Sequence, residues 1–149
     1  MREILFRGMR IASGEWVEGY LFDDGIVNSK SVFIGNLAIT KYKGSADDEF
    51  EVGLDICEVI PKTVGQYTGL TDKNGAKIFE GDIIDVTTNH HYVGVAVERL
   101  GKFTVVFDDG CFMRAKVGGI GKFHFIPTDE IQIIGNIHDN PELMEGGEG

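Results

Sequence analysis

The pattern of apolar and polar positions along this chain is β from end to end. In GEWVEGYLFDDG, residues 14–25, Trp16, Tyr20 and Phe22 fall on one side of an extended backbone and Val17, Gly19 and Leu21 on the other. SVFIGNLAITKY, from Ser31, predicts a second strand region interrupted near Gly35, followed by a loop in KGSADDEFEVG. Leu54 to Ile60 predicts a short strand that Pro61 closes, because proline cannot donate to a central ladder. Past Pro61 the segments shorten and turns become denser. Strands are expected over Ile83–Thr88, Cys111–Val117, Phe123–Ile126 and Ile131–Ile137, with a hairpin of Tyr92–Leu100 and Lys102–Phe107 about Gly101. Pro127 to Glu130 and NPEL read as single helical turns. The pattern predicts a mainly β protein, with a small N-terminal β lobe over 1–60, a C-terminal lobe over 61–143 and a disordered tail over 144–149.

FDDG occurs at 22–25 and again at 107–110, and we read it as repeated turn chemistry. The 149 residues include 21 glycines but only 3 prolines, a balance that points to tight turns rather than disorder. The net charge of −10 lacks the footprint of a nucleic-acid binder. The one local exception is the basic N-terminus, where Arg2, Arg7 and Arg10 stand against Glu3; it is the candidate nucleic-acid contact. Cys57 and Cys111 are far apart and form no CxxC unit. No leader-like opening and no apolar run near the roughly 20 residues needed to span a bilayer is visible, so a cytoplasmic protein away from membranes is expected.

The densest pattern is VIPKTVGQYTGLTDKNGAKIFEGDIIDV, residues 59–86. Asp72, Asn74 and Glu80 invite a calcium loop, but counting from Asp72 puts Ala76, Lys77 and Ile83 where such a loop needs a ligand, a glycine and a glutamate. No GKS or GKT follows the glycines, so a phosphate loop fails as well. Turns fit better. Asn74-Gly75 is a strong turn dipeptide, and Gln66–Leu70 can pair with Ala76–Phe79 across it. Glu80-Gly81-Asp82 turns the chain into Ile83, Ile84 and Val86, an entry seen in small open β-barrels of the SH3-like kind. Gly65, Gly69, Asp72, Asn74, Gly75, Gly81 and Asp82 are therefore read as structural turn residues.

No other constellation points to a reaction, a metal or a cofactor. His90 and His91 are adjacent and would point to opposite faces of a strand, and His124 and His138 stand alone. The carboxylate pairs Asp23-Asp24, Asp47-Asp48 and Asp108-Asp109 are neighbours in turns, not groups held across a cleft. Most aromatic residues sit at strand positions without interleaved Lys and Arg, as core residues do. Phe103 to Phe107 is apolar on both faces, which calls for burial on both sides or for packing against another chain.

MREILFRG at the start, GEWVEGYL at 14–21, VIPKTVGQYTGLTDKNGAKIFEGDII at 59–84 and IIGNIHDNPEL at 133–143 together resemble the YopX family of phage and prophage proteins. The order and spacing of the four blocks fit over nearly the whole chain. The resemblance implies a β-rich fold, a phage or prophage origin and action in the cytoplasm of a bacterial host, and it implies no reaction. The expected function is a non-enzymatic binding or assembly module that partners itself or a host or phage protein. The alternatives are a nucleic-acid-associated accessory protein using the N-terminal arginine face and a hydrolase with an unrecognised site.

Overall fold

The computed structural model describes residues 1–23, 30–41, 50–88 and 98–145. The turn at Asp24-Gly25, most of the loop ahead of Leu54, the histidines at 90 and 91, the expected strand from Tyr92 to Val97 and the last four residues lie outside this range. Among the described residues the chain is mainly β, without an α-helix, and its strands form two antiparallel sheets. It divides into two compact units, Glu3–Gln66 and Tyr67–Gly149 with Met1 and Arg2.

The first unit contains β1 (Phe6–Met9), β2 (Trp16–Asp23), β3 (Val32–Lys41) and β4 (Phe50–Val59), in the order β4-β3-β2-β1. Register runs Gly8↔Val17, Tyr20↔Gly35 and Leu37↔Leu54, so each rung places known residue pairs on one face. Gly8 leaves room on the inner face for Ile34 and Val59, both fully buried. After β4, Pro61 opens a 3-10 turn (Pro61–Thr63), where a missing N–H costs nothing. Thr63 locks that turn: its hydroxyl donates to Ile60 O at 2.6 Å and accepts Met9 N–H at 2.9 Å.

β3 is not interrupted at Gly35. The strand passes through it because the neighbouring backbone comes so close that a Cβ there would lie 2.1 Å from Asp55 O. Gly19, one strand over, is in the same position against Gly35 O at 2.6 Å. These glycines mark close approach between strands, not breaks in a strand.

The second unit holds β5 (Gly65–Thr71) from Tyr67 onward, β6 (Lys77–Phe79), β7 (Asp82–Thr88), β8 (Glu98–Asp108), β9 (Cys111–Lys116), β10 (Lys122–Phe123) and β11 (Asp129–Asn136). Five of these make a sheet of order β10-β9-β8-β7-β11. β7, paired between β8 and β11, is buried on both faces, with Ile83, Ile84 and Val86 fully enclosed. Ile78, Phe103, Val105 and Ile131 complete the core. β9 and β11 are separated in this sheet by β8 and β7, roughly 14 Å in a flat sheet at the usual strand spacing. Arg114 Nη1 on β9 nevertheless lies 3.1 Å from Asp129 Oδ2 on β11, and both side chains are buried. The sheet therefore curls so that β9 and β11 approach.

Gly101 does not turn a hairpin. β8 runs straight through it, and its positive φ of 96° sits at a register shift between Val86 and Thr87 of β7, a bulge rather than a reversal. The reversal comes at Asp109-Gly110, whose φ values of 50° and 80° are those of a type I′ turn. Lys122 donates to Asp108 beside it, and that bond with its charge holds the Asp108 carboxyl below the usual range. Burial of both faces of β8 holds at Phe103, Thr104 and Val105 and stops short of Phe107, which is 53% exposed and packs on Phe112. Pro127 and Thr128 form a turn, not a helix, and β10 ends at Phe123.

Replacement of Gly35 by Ala should destabilise the first unit by about 1–3 kcal/mol through forced backbone displacement. Gly53→Ala, whose added Cβ would meet only Ala38 O at 4.0 Å, should stay within about 0.5 kcal/mol. Urea unfolding followed by the fluorescence of Trp16, the single tryptophan, separates the two, and equal midpoints would contradict the close-approach argument.

Candidate interaction surface

The glycine- and acid-rich stretch at 59–86 builds turns, and its carboxylates are already occupied. Asp72 Oδ1 accepts the amides of Asn74 at 2.9 Å and Ala76 at 3.0 Å, and Oδ2 accepts the amide of Ile133 at 3.2 Å. Lys73 N–H donates to Ile131 O at 2.8 Å, so the β5–β6 turn is stitched to β11 by backbone and side chain together. Burial pushes the Asp72 carboxyl up, but three amide donors and the Lys73 charge outweigh it and hold the group below the usual carboxylate range. Gly75, at φ 82°, supplies the left-handed residue of this turn. Asp82 is almost fully buried and accepts Phe79 N–H at 2.8 Å. Gly81 donates to Val105 O and accepts from Ile137 N, joining β8 to the end of β11. Glu80 between these turns is half-buried, and burial raises its carboxyl.

A hollow of about 280 Å³ lies beside this turn, lined by Thr71, Asp72, Lys73, Thr128, Asp129, Glu130 and Ile131. Its acidic groups do not form a cation site. Asp72 is filled by amides, Asp129 faces Arg114, and Glu130 faces Lys73 at 3.5 Å. Among the described residues no group of three or more His, Cys, Asp or Glu side chains could hold a metal ion. Both cysteines are free thiols, Cys57 in the first unit and Cys111 in the second.

Within the first unit, Arg7 and Arg10 fall at opposite phases of the strand alternation. Arg7 on β1 lays its guanidinium over the Trp16 ring at 4.9 Å, on the face that strand pairing assigns to both. Arg10 follows β1 at the opposite phase of the alternation and is exposed, at an isolated bridge to Val59. Arg2 is exposed and belongs to the second unit.

The most distinctive surface is the outer face of β2, β3 and β4. Pairing puts Tyr20, Gly35 and Ile56 on one rung and Leu37 and Leu54 on the next, with Val52 two residues further along β4. Leu37, Val52 and Leu54 are 60%, 61% and 56% exposed, Tyr20 55% and Ile56 41%. Exposed apolar residues are common singly, but here five share one sheet face. The opposite face at the same strands carries Ile34 and Val59 in the core. Alternation of Val52, Leu54 and Ile56 with Gly53 and Asp55 was the signal in the sequence. It shows that one face is apolar, but not that this face remains uncovered. Arg114 and Asp129 carried no local signal at all.

A mainly β, two-unit protein assembled on side-chain-capped turns is the class these features define. The chain matches the YopX family over residues 5–145 and belongs to it. It is also similar to protein EF1440 from Enterococcus faecalis, whose crystal structure aligns with 97% of this chain and 100% of its own at a TM-score of 0.61 and 29% identity. No curated protein matches. Among the described residues no helix is long and apolar enough to cross a membrane.

Asp72→Asn should cost about 1–3 kcal/mol at neutral pH, because an amide offers its second partner a donor where an acceptor is required. The folded carboxyl titrates below its unfolded value near 3.9, so its contribution is complete above about pH 4. It disappears as pH falls through the depressed folded value. Urea midpoints of the wild type and the variant should therefore converge in acid, and a gap that stays constant with pH would contradict a charged acceptor.

Proposed function

We propose that this chain is a non-enzymatic assembly module that associates with a second copy of itself through the outer face of β2, β3 and β4. The observation that carries this reading is the run of exposed Tyr20, Leu37, Val52, Leu54 and Ile56 on one face. The face has no charged side chain at its centre, in a chain of net charge −10. It therefore selects for another uncharged apolar face, not for a basic partner, and a two-fold axis presents the same patch from both copies. Ahead of the Arg10–Val59 bridge, β4 is the edge strand of its sheet among the described residues, and pairing of identical edges about a two-fold axis is antiparallel.

Four aliphatic residues per copy, each about half exposed, contribute roughly 1 kcal/mol apiece when covered. Association costs about 4–15 kcal/mol. The face alone thus supports weak pairing, and hydrogen bonds along the β4 edge have to add to it.

We further infer that the curled five-stranded sheet is an SH3-like open barrel. Its strand order β10-β9-β8-β7-β11, a four-strand meander β7–β10 followed by β11 returning beside β7, supports this, as does the Arg114–Asp129 contact between β9 and β11. Family membership supports a phage or prophage origin and action in the host cytoplasm.

Sedimentation equilibrium at about 10 to 500 µM should show concentration-dependent dimerisation, strengthened by salt as like net charges are screened. The Val52→Glu, Leu54→Glu double variant should stay monomeric and keep its fold, since both positions are exposed. A wild type that is monomeric throughout that range would sink the proposal.

A further inference from the structure

The second unit contains a cleft of about 300 Å³ lined by Leu100, Phe103, Arg114, Lys116, Ile120 and Phe123. Its polar groups are only partly used; Arg114 is buried and Lys116 half-buried. Arg114 is 4% exposed. Its Nη1 meets Asp129, while its buried Nε–H has no protein acceptor among the described residues. A buried donor asks for a partner. Lys116 donates to Leu100 O, and an ammonium has three protons, so two remain to be placed.

Room for this lysine is built into the backbone. A Cβ on Gly119 would lie 2.6 Å from Lys116 Cγ, and one on Gly101 would lie 2.5 Å from its Nζ. Phe103 lies under both cations, with its ring centroid 4.9 Å from Arg114 Cζ and 4.8 Å from Lys116 Nζ. Phe123 meets Phe103 edge-on at 6.1 Å and 89°, and Leu100 and Ile120 add aliphatic surface.

The charges decide the class of ligand. Among the described residues Arg114 and Lys116 are opposed by Asp129 alone, which leaves one positive charge beside apolar walls. That matches a monoanion and not a phosphate dianion. The volume is at the small end of ligand sites and holds about a single ring. We propose that this cleft binds a small carboxylate carried on an aromatic or branched apolar body. The carboxylate accepts from the Lys116 ammonium beside the Arg114 guanidinium, and the apolar body lies against Phe123, Leu100 and Ile120.

The Arg114 Nε–H proton can be followed directly by ¹⁵N–¹H NMR of the full chain. Titration with 3-phenylpropionate to about 20 mM should shift it saturably. The neutral 3-phenylpropionamide should leave it in place, and acetate, which lacks the ring, should bind far more weakly. Lys116→Met and Phe123→Ala should each weaken binding about tenfold, near the worth of one charged hydrogen bond or one ring contact. Both leave the Arg114–Asp129 contact intact, and unchanged spectral dispersion verifies their folding. No saturable shift, equal binding of acid and amide, equal binding of acetate, or variants that bind like the wild type would each overturn the proposal.

Discussion

The carboxylate of Asp72 is the contact on which the second unit depends most. A turn such as DKNG leaves amides that cannot join a ladder, and a buried carboxylate is tolerable only with donors around it. Each need answers the other. Two of the three donors come from the turn itself, and the third is Ile133, 61 residues further along the chain. Ile131 O and Ile133 N–H both face the turn and not β7, and the register of β11 against β7 shifts just beyond, between Ile133 and Gly135. A local turn is thereby tied to the last strand of the sheet, and that strand carries Asp129.

Asp129 connects the same strand to the opposite side. Its contact with Arg114 lies off the line of a hydrogen bond, since neither carboxylate oxygen has an aligned donor among the described residues. Breaking a buried pair strands a charge, so a pair of this kind specifies where two elements meet more than it adds net stability. Here it specifies that β9 and β11 approach across a curled sheet. It leaves Arg114 Nε beside the aromatic cleft, so the group that shapes the sheet also lines its open side.

The two units use apolar surface differently. In the second, β7 is enclosed on both faces and the large aliphatic side chains lie inside. In the first, the inner face is closed by Gly8, Ile34 and Val59, while the outer face keeps Leu37, Val52 and Leu54 in solvent. Leaving aliphatic side chains of this size exposed is unfavourable by a few kcal/mol in total. A covering partner recovers that energy, whereas a sheet face needed only for folding would more simply be polar.

Much of this was legible in the sequence because strands and turns are local. Alternation located β2, short apolar segments between turns located β7, β9 and β11, and Asn74-Gly75 marked its turn because it admits positive φ. The block at 59–86 excluded calcium and phosphate loops by spacing alone, and four blocks in order indicated the family. Glycine was the weak point. A glycine that turns a hairpin, relieves a bulge or admits a neighbouring backbone looks the same in one dimension, so Gly101 and Gly35 were both misread. By itself the sequence determined which residues alternate, where the chain can reverse and which family it joins, since these depend on neighbours a few positions apart. Only the tertiary structure decided that Asp72 reaches Ile133, that Arg114 meets Asp129 and that the outer face of β3 and β4 stays bare. Those outcomes depend on residues brought together from distant parts of the chain, and no local pattern encodes a distance across a sheet.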